Sequence, residues 1–250
     1  MSGHSKWSTI KRKKGAEDAK RGKIFTRLTR EIVIAARESG GDIETNFKLR
    51  LAVDKARAEN MPKDNIERAI KRGTGDGKDG EDYQEVTYEG YANGGGALII
   101  QCVTENKNRT VAEIRHLLSK AGGSMGENGS VSWQFEQKAW FTFPAEGMDF
   151  DEVFMIAADG GAEDLTEEDG MIDVWGDAHN FKTLSDALEG AGIKPEVAEL
   201  RMVPKQALEL SVEDTVKVLK TIEHLEDLDD VQNVFSNINI TDEAIEALEE

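Results

Sequence analysis

The spacing of apolar residues changes character along the chain. Ile24, Phe25, Leu28, Ile32 and Ala35 recur at helical intervals and predict an amphipathic helix, which Gly40-Gly41 ends. Phe47, Leu49, Leu51, Ala52, Val53 and Ala56 give a second segment, residues 45–59, a broad apolar side. Pro62 stands where a third helix would start, with Asp64 in its first turn. Ile66, Ala69 and Ile70 face inward there, and Gly73 closes it. Three short helices with small connections make a helical bundle. The stretch from Gly73 to Asp82, rich in Gly and Asp, reads as a linker.

Beyond Tyr83 the period shortens. Residues 85–88 and 97–104 read as strands joined through Gly90 to Gly96, and residues 108–121 as a helix with Val111, Ile114, Leu117 and Leu118 on one face. Gly122-Gly123 stops that helix. A full set of elements follows: strand 140–143, helix 150–158, strands 162–165 and 171–175 around Glu168-Asp169-Gly170, helix 181–188 and strand 198–203. This is the βαββαβ order of a ferredoxin-like unit. Residues 207–210, 212–225 and 231–236 then read as strand, helix and strand, which is half a unit. Residues 83–121 supply the other half. Two separate fragments would leave sheet faces and edges uncovered, so the complete unit is read as inserted into a discontinuous one.

The expected fold is therefore α+β: an N-terminal three-helix domain plus two α/β domains with ferredoxin-like βαββαβ patterns, one inserted into the other. The expected boundaries are a basic arm over 1–21 and a helical domain over 22–79. A discontinuous α/β domain takes 80–131 and 204–240, an inserted α/β domain 132–203, and an acidic tail 241–250. A chain of 250 residues suits two or three such domains.

Charge adds a function to this outline. The net charge of −18 argues at first against a polyanion partner. Its distribution argues the opposite: residues 1–80 hold 20 Lys and Arg against 12 Asp and Glu, whereas residues 81–250 hold 11 against 37. Ten of the cations fall in residues 1–30, opposed only by Glu17 and Asp18. Phosphate neutralisation needs cations clustered in this way. The candidate phosphate contacts are Lys6, Lys11, Arg12, Lys13, Lys14, Lys20, Arg21, Lys23, Arg27 and Arg30, with Trp7 among them as a base-stacking group. The competing reading is a solvated tail with Trp7 pinned to the core. No helix-turn-helix recognition helix stands out, so base-specific readout is not expected.

Other chemistry finds little support. Gly75-Asp76-Gly77-Lys78-Asp79-Gly80 matches G-x-G-x-x-G, but a helix precedes it and a strand follows, the reverse of a dinucleotide site. The same segment fails as a P-loop, because Asp79 follows Lys78. The four histidines, His4, His116, His179 and His224, lie in four different segments without metal-ligand spacing. No Ser-His-Asp or Cys-His arrangement emerges, so neither a catalytic residue, a metal nor a cofactor is expected. The one cysteine, Cys102, sits in an apolar run and reads as an inert buried thiol rather than a nucleophile. A single cysteine excludes an internal disulfide framework and suits a reducing compartment. No run approaches ~18 consecutive apolar residues, and Met1 to Lys14 lacks the apolar core of a secretory signal, so a cytoplasmic protein without a membrane span is expected.

Several motifs together resemble a known family. Gly3-His4-Ser5-Lys6-Trp7 and Asp18-Ala19-Lys20-Arg21-Gly22-Lys23-Ile24-Phe25 look like the opening signature of YebC proteins. Asn60-Met61-Pro62, Asn65-Ile66 and Ala69-Ile70-Lys71-Arg72-Gly73 resemble its third-helix motif. Tyr88-Glu89-Gly90-Tyr91, Asn106-Lys107-Asn108-Arg109-Thr110 and Gly129-Ser130-Val131-Ser132-Trp133 follow in family order. Ala92-Asn93 departs from the Gly-Pro that the family commonly has before its glycines. The resemblance implies three domains and a cytosolic DNA-binding regulator of transcription. Some relatives, including a mitochondrial translational activator, act instead on the ribosome and ease difficult peptide synthesis, which would make ribosomal RNA the partner.

Overall fold

A computed structural model describes Trp7, residues 18–75 and residues 83–249. Three helices open it: α1 (Asp18–Ser39), α2 (Phe47–Ala58) and α3 (Lys63–Gly73). Leu28, Ile32 and Val33 of α1 meet Leu49 and Val53 of α2 and Ile66 of α3 in one buried cluster. Asn46 ties the first turn together. Its Oδ1 accepts the Leu49 N–H at 3.0 Å, capping α2, while Nδ2 donates to the carbonyls of Ala35 and Gly40 at 2.7 Å each. Gly73 is required by packing: a Cβ there would lie 2.5 Å from the Val33 carbonyl oxygen and 2.7 Å from the Ala36 Cβ. Helix α1 begins at Asp18, so Lys20 and Arg21, expected in the arm, fall within a helix.

The first sheet has the order β3-β1-β2-β8, all pairs antiparallel. Its strands are β1 (Gln84–Tyr91), β2 (Ala97–Thr104), the two-residue β3 (Ser124–Met125) and β8 (Val231–Ser236). Helix α4 (Lys107–Lys120) follows β2 and helix α7 (Val212–Glu226) precedes β8. Leu98, Ile100 and Cys102 of β2 pack with Ile114 and Leu118 of α4 and Val218 of α7. The β1–β2 turn needs two left-handed residues, and glycine supplies both, at Gly94 (φ 75°) and Gly95 (φ 84°). The departure at Ala92-Asn93 is accommodated by burying Ala92 and bonding Asn93 Nδ2 to Asp214 Oδ1 at 3.0 Å.

The second sheet has the order β5-β6-β4-β7. Its strands are β4 (Phe135–Pro144), β5 (Ala162–Glu168), β6 (Met171–Asp177) and β7 (Val197–Pro204), with helices α5 (Phe150–Asp159) and α6 (Phe181–Gly190) after β4 and β6. Numbered within the unit this order is 2-3-1-4, the arrangement expected of the βαββαβ pattern. Phe141 packs on Phe181, 4.7 Å between ring centroids. On the adjacent position Trp140 stacks on its cross-strand partner Trp175 at 5.7 Å and donates Nε1–H to Asp173 at 2.9 Å. The chain thus divides into two compact units, Glu136–Val203 and the remainder.

Four expectations need correction. Residues 207–210 form no strand; a single parallel bridge joins Leu208 to Ile238, and β3 supplies the fourth strand instead. The inserted unit starts at Glu136 rather than 132, because the Ser132 N–H is held by Glu89 of β1. The acidic tail is a helix, α8 (Asp242–Glu249), which packs against α7. Ile240, Ala244 and Ile245 are buried there because apolar residues recur at helical spacing between the carboxylates. The start of α1 at Asp18 is the fourth. The arm before Asp18, apart from Trp7, and most of the Gly75–Gly80 motif lie outside the described residues.

Candidate nucleic-acid interface

The cations proposed from the sequence separate into three groups. Lys6, Lys11, Arg12, Lys13 and Lys14 lie outside the described residues. Lys20 and Arg21 belong to the first turn of α1. Lys23, Arg27 and Arg30 occupy positions i, i+4 and i+7 of the same helix, one stripe, and that stripe meets the acidic turn between α7 and β8. Lys23 Nζ reaches the Asp227 carboxylate at 3.3 Å and its carbonyl at 3.1 Å. Arg27 donates to the Gln232 carbonyl at 3.5 Å. Burial lowers its pKa, against the raising pull of Glu31 and Asp227.

Arg30 is buried, and its polar contacts gather on Nη1, while its Nε has no hydrogen-bond partner among the described residues. Its Nη1 donates to Asp230 Oδ1 at 2.9 Å, to the Val103 carbonyl at 3.3 Å and to the Asp229 carbonyl, and its guanidinium lies 5.4 Å from the Tyr83 ring centroid. Asp230 also accepts Arg109 Nη2 at 2.9 Å, Thr110 Oγ1 at 2.7 Å and Thr104 Oγ1 at 3.0 Å. Burial pushes the Asp230 carboxyl up, but Arg109, the two hydroxyls and Arg30 outweigh it and hold the carboxyl below its ordinary value. Asp230 is thus the clasp between the first helix, β2, α4 and β8. The Asn106–Thr110 motif serves this clasp: Asn106 caps α4 by accepting the Arg109 N–H at 3.1 Å, which aims Arg109 and Thr110 at the carboxylate.

Two of the proposed contacts occupy internal positions. Arg30 is buried and its charge is paired with Asp230 in the interior. Trp7 is 6% exposed and packs in the α/β core with Leu98, Ile100 and Ile114, the position of the competing reading. The apolar indole gains more from that core than from solvent. The stripe spacing of Lys23, Arg27 and Arg30, set against Asp227, Asp229 and Asp230, was the sequence signal for an internal contact.

Exposed cations missed from the sequence lie elsewhere. Lys71 on α3 and Lys107, Arg115 and Lys120 on α4 are exposed and make no ion pair among the described residues. By contrast, Lys48 bridges Glu38 and Glu85 at 2.9 Å each, and Arg57 pairs with Asp54 at 3.0 Å. Cys102 is buried, and its thiol is pushed up to about 12 by burial and by Asp230, which keeps it protonated near neutral pH. Among the described residues no group of three or more His, Cys, Asp or Glu is placed to hold a metal ion. None of their helices is long and apolar enough to cross a membrane.

A helical bundle clasped to a discontinuous α/β domain that carries a second, inserted α/β unit is the architecture of the TACO1/YebC family, to which this chain belongs. Residues 5–76 match the TACO1/YebC protein N-terminal domain and residues 83–238 the TACO1/YebC second and third domain. A probable transcriptional regulatory protein of Geotalea uraniireducens is 52% identical over 248 residues, covering 99% of this chain and 100% of the relative. One of Syntrophus aciditrophicus, described in the same words, is 54% identical over 248 residues and covers 99% of each chain. The crystal structure of a conserved hypothetical protein from Aquifex aeolicus superposes with a TM-score of 0.82 at 39% identity, covering 90% of this chain and 93% of that one.

Proposed function

We propose that this chain is a DNA-binding regulator of transcription that acts in the cytoplasm through binding rather than catalysis. Its grip is on the phosphate backbone, without a base-reading helix. The observation that carries this is the run of four consecutive cations, Lys11, Arg12, Lys13 and Lys14, in a chain whose residues 81–250 hold 37 Asp and Glu against 11 Lys and Arg. Clustered cations displace condensed counterions from a polyanion, which the acidic remainder of the chain cannot do. The names of the relatives, probable transcriptional regulatory proteins, support the same reading.

Deleting the arm would be a poor test, since it removes Trp7 from the core. The better variant carries Lys11→Gln, Arg12→Gln, Lys13→Gln and Lys14→Gln together. Each phosphate neutralised on duplex DNA contributes about −0.9 to the slope of log K against log salt. The quadruple variant is expected to flatten that slope by roughly 3 to 4 and to weaken binding steeply at low salt. Unchanged affinity and slope would overturn the proposal. A second reading, a ribosome-associated translation factor on ribosomal RNA, is favoured by one feature, the exposed indole of Trp133.

A further inference from the structure

We propose that Trp133 is a stacking platform for an unpaired nucleobase in a single-stranded nucleic-acid segment, with Lys205 beside it as the phosphate contact. This rests on the nucleic-acid reading above and deepens it. Trp133 is 67% exposed, whereas Trp7, Trp140 and Trp175 are at most 6% exposed. A single exposed hydrophobic residue is ordinary. Three further features separate this one from the ordinary case.

The indole is pinned. Its Nε1–H donates to the Ser130 carbonyl at 3.0 Å, so its polar edge is satisfied within the protein. The same carbonyl accepts the Tyr91 hydroxyl at 3.2 Å. What the ring has left to offer is its π face.

The loop beneath it is held from below. Glu89, buried on β1, accepts N–H bonds from Val131 at 2.6 Å, Gly129 at 2.7 Å and Ser132 at 2.9 Å. Its backbone carbonyl accepts the Gly126 N–H at 2.8 Å. A Cβ at Gly126 would lie 2.3 Å from Ser130 Oγ, so the loop closes tightly over a glycine. A ring on such a scaffold is positioned before any ligand arrives, which lowers the entropy cost of stacking.

A cation is fixed beside it. Lys205 Nζ donates to the Trp133 carbonyl at 3.0 Å, and the Lys205 N–H donates to the Gln134 carbonyl at 2.8 Å. Lys205 is exposed and pairs with no carboxylate among the described residues, in a chain with 49 acidic residues against 31 basic ones. An aromatic face next to an uncompensated cation is the pairing that holds a base and its phosphate on a single strand. A base within a duplex has both faces covered by its neighbours, so the ring selects unpaired bases.

The test uses the full chain and a short unstructured DNA strand, alone and annealed to its complement. Because Trp133 is exposed, Trp133→Ala is expected to fold as the native chain does, which thermal melting checks. It should weaken binding to the single strand by roughly 5- to 150-fold, the worth of one stacked base, with little change on the duplex. Trp133→Phe should restore most of the affinity. Lys205→Gln should flatten the single-strand salt dependence by about 0.7, while Trp133→Ala leaves it alone. Single-strand binding unaffected by Trp133→Ala, or an equal loss on both forms, overturns this inference alone. A native chain that binds neither form overturns the nucleic-acid reading and this inference with it.

Discussion

Arg30 and Asp230 stand 200 positions apart in the chain and meet in the interior at 2.9 Å. Around that pair Arg109, Thr104 and Thr110 satisfy the remaining oxygen positions of the carboxylate. A buried ion pair is no guarantee of net stability, but breaking one by removing a single partner leaves an uncompensated charge. Asp230→Asn is therefore expected to cost about 3–5 kcal/mol in urea unfolding. The pH dependence has a definite sign. The carboxyl is held below its ordinary value of about 4, so its contribution is present above that pH and lost as pH falls through the folded value. The native chain should lose stability below about pH 4 more steeply than Asp230→Asn does. Parallel profiles would remove Asp230 from the account.

Lys23 and Trp7 make a contrasting pair near the same end of the chain. The Lys23–Asp227 ion pair is exposed on both sides, and such pairs are worth about 0–1 kcal/mol. Lys23→Ala should leave the melting temperature almost unmoved. Trp7→Ala removes a large side chain from the α/β core and should cost about 3–5 kcal/mol. If Trp7→Ala melts like the native chain, Trp7 is no part of the α/β core.

Glu89 is expected to control the order of the loop that carries Trp133. Burial pushes its carboxyl up, but the N–H groups of Val131, Gly129 and Ser132 more than offset this and leave it below the ordinary glutamate value. Its contribution is accordingly lost as pH falls below about 4. Glu89→Ala leaves those amides without their acceptor, at a cost of about 1–3 kcal/mol or more. Hydrogen exchange at Gly129, Val131 and Ser132 should accelerate, with the amides of α1 unaffected. Uniform acceleration across the chain would mean that Glu89 supports the fold in general and not this loop.

The C-terminal helix offers a simple check. Ile245 is 4% exposed, and truncating it to alanine should cost about 2–5 kcal/mol. A solvated acidic tail would be insensitive to the same change.

Periodicity along the chain was enough to read the elements and much of their order. Helical and alternating periods placed α2, α3, α4, α7 and β8 within a few residues, because those segments bury one face and their apolar positions must follow the backbone period. The complete βαββαβ set around Trp140 and Phe181 was legible for the same reason. Its flanking halves pointed to β8 joining β1 and β2, since an isolated half-sheet has edges to cover. Three features escaped. Strand β3 is two residues long, too short to show a period. The stretch around Leu208 has strand-like composition but meets one neighbour at one bridge. Helix α8 hid Ile240, Ala244 and Ile245 among carboxylates. Which charges are available is set by long-range contacts. Composition counts Arg30 and Lys71 alike, yet Arg30 is neutralised inside by Asp230 while Lys71 is exposed on α3. Whether a cation meets a phosphate or an internal carboxylate depends on contacts made 200 residues away, and no local pattern encodes that distance.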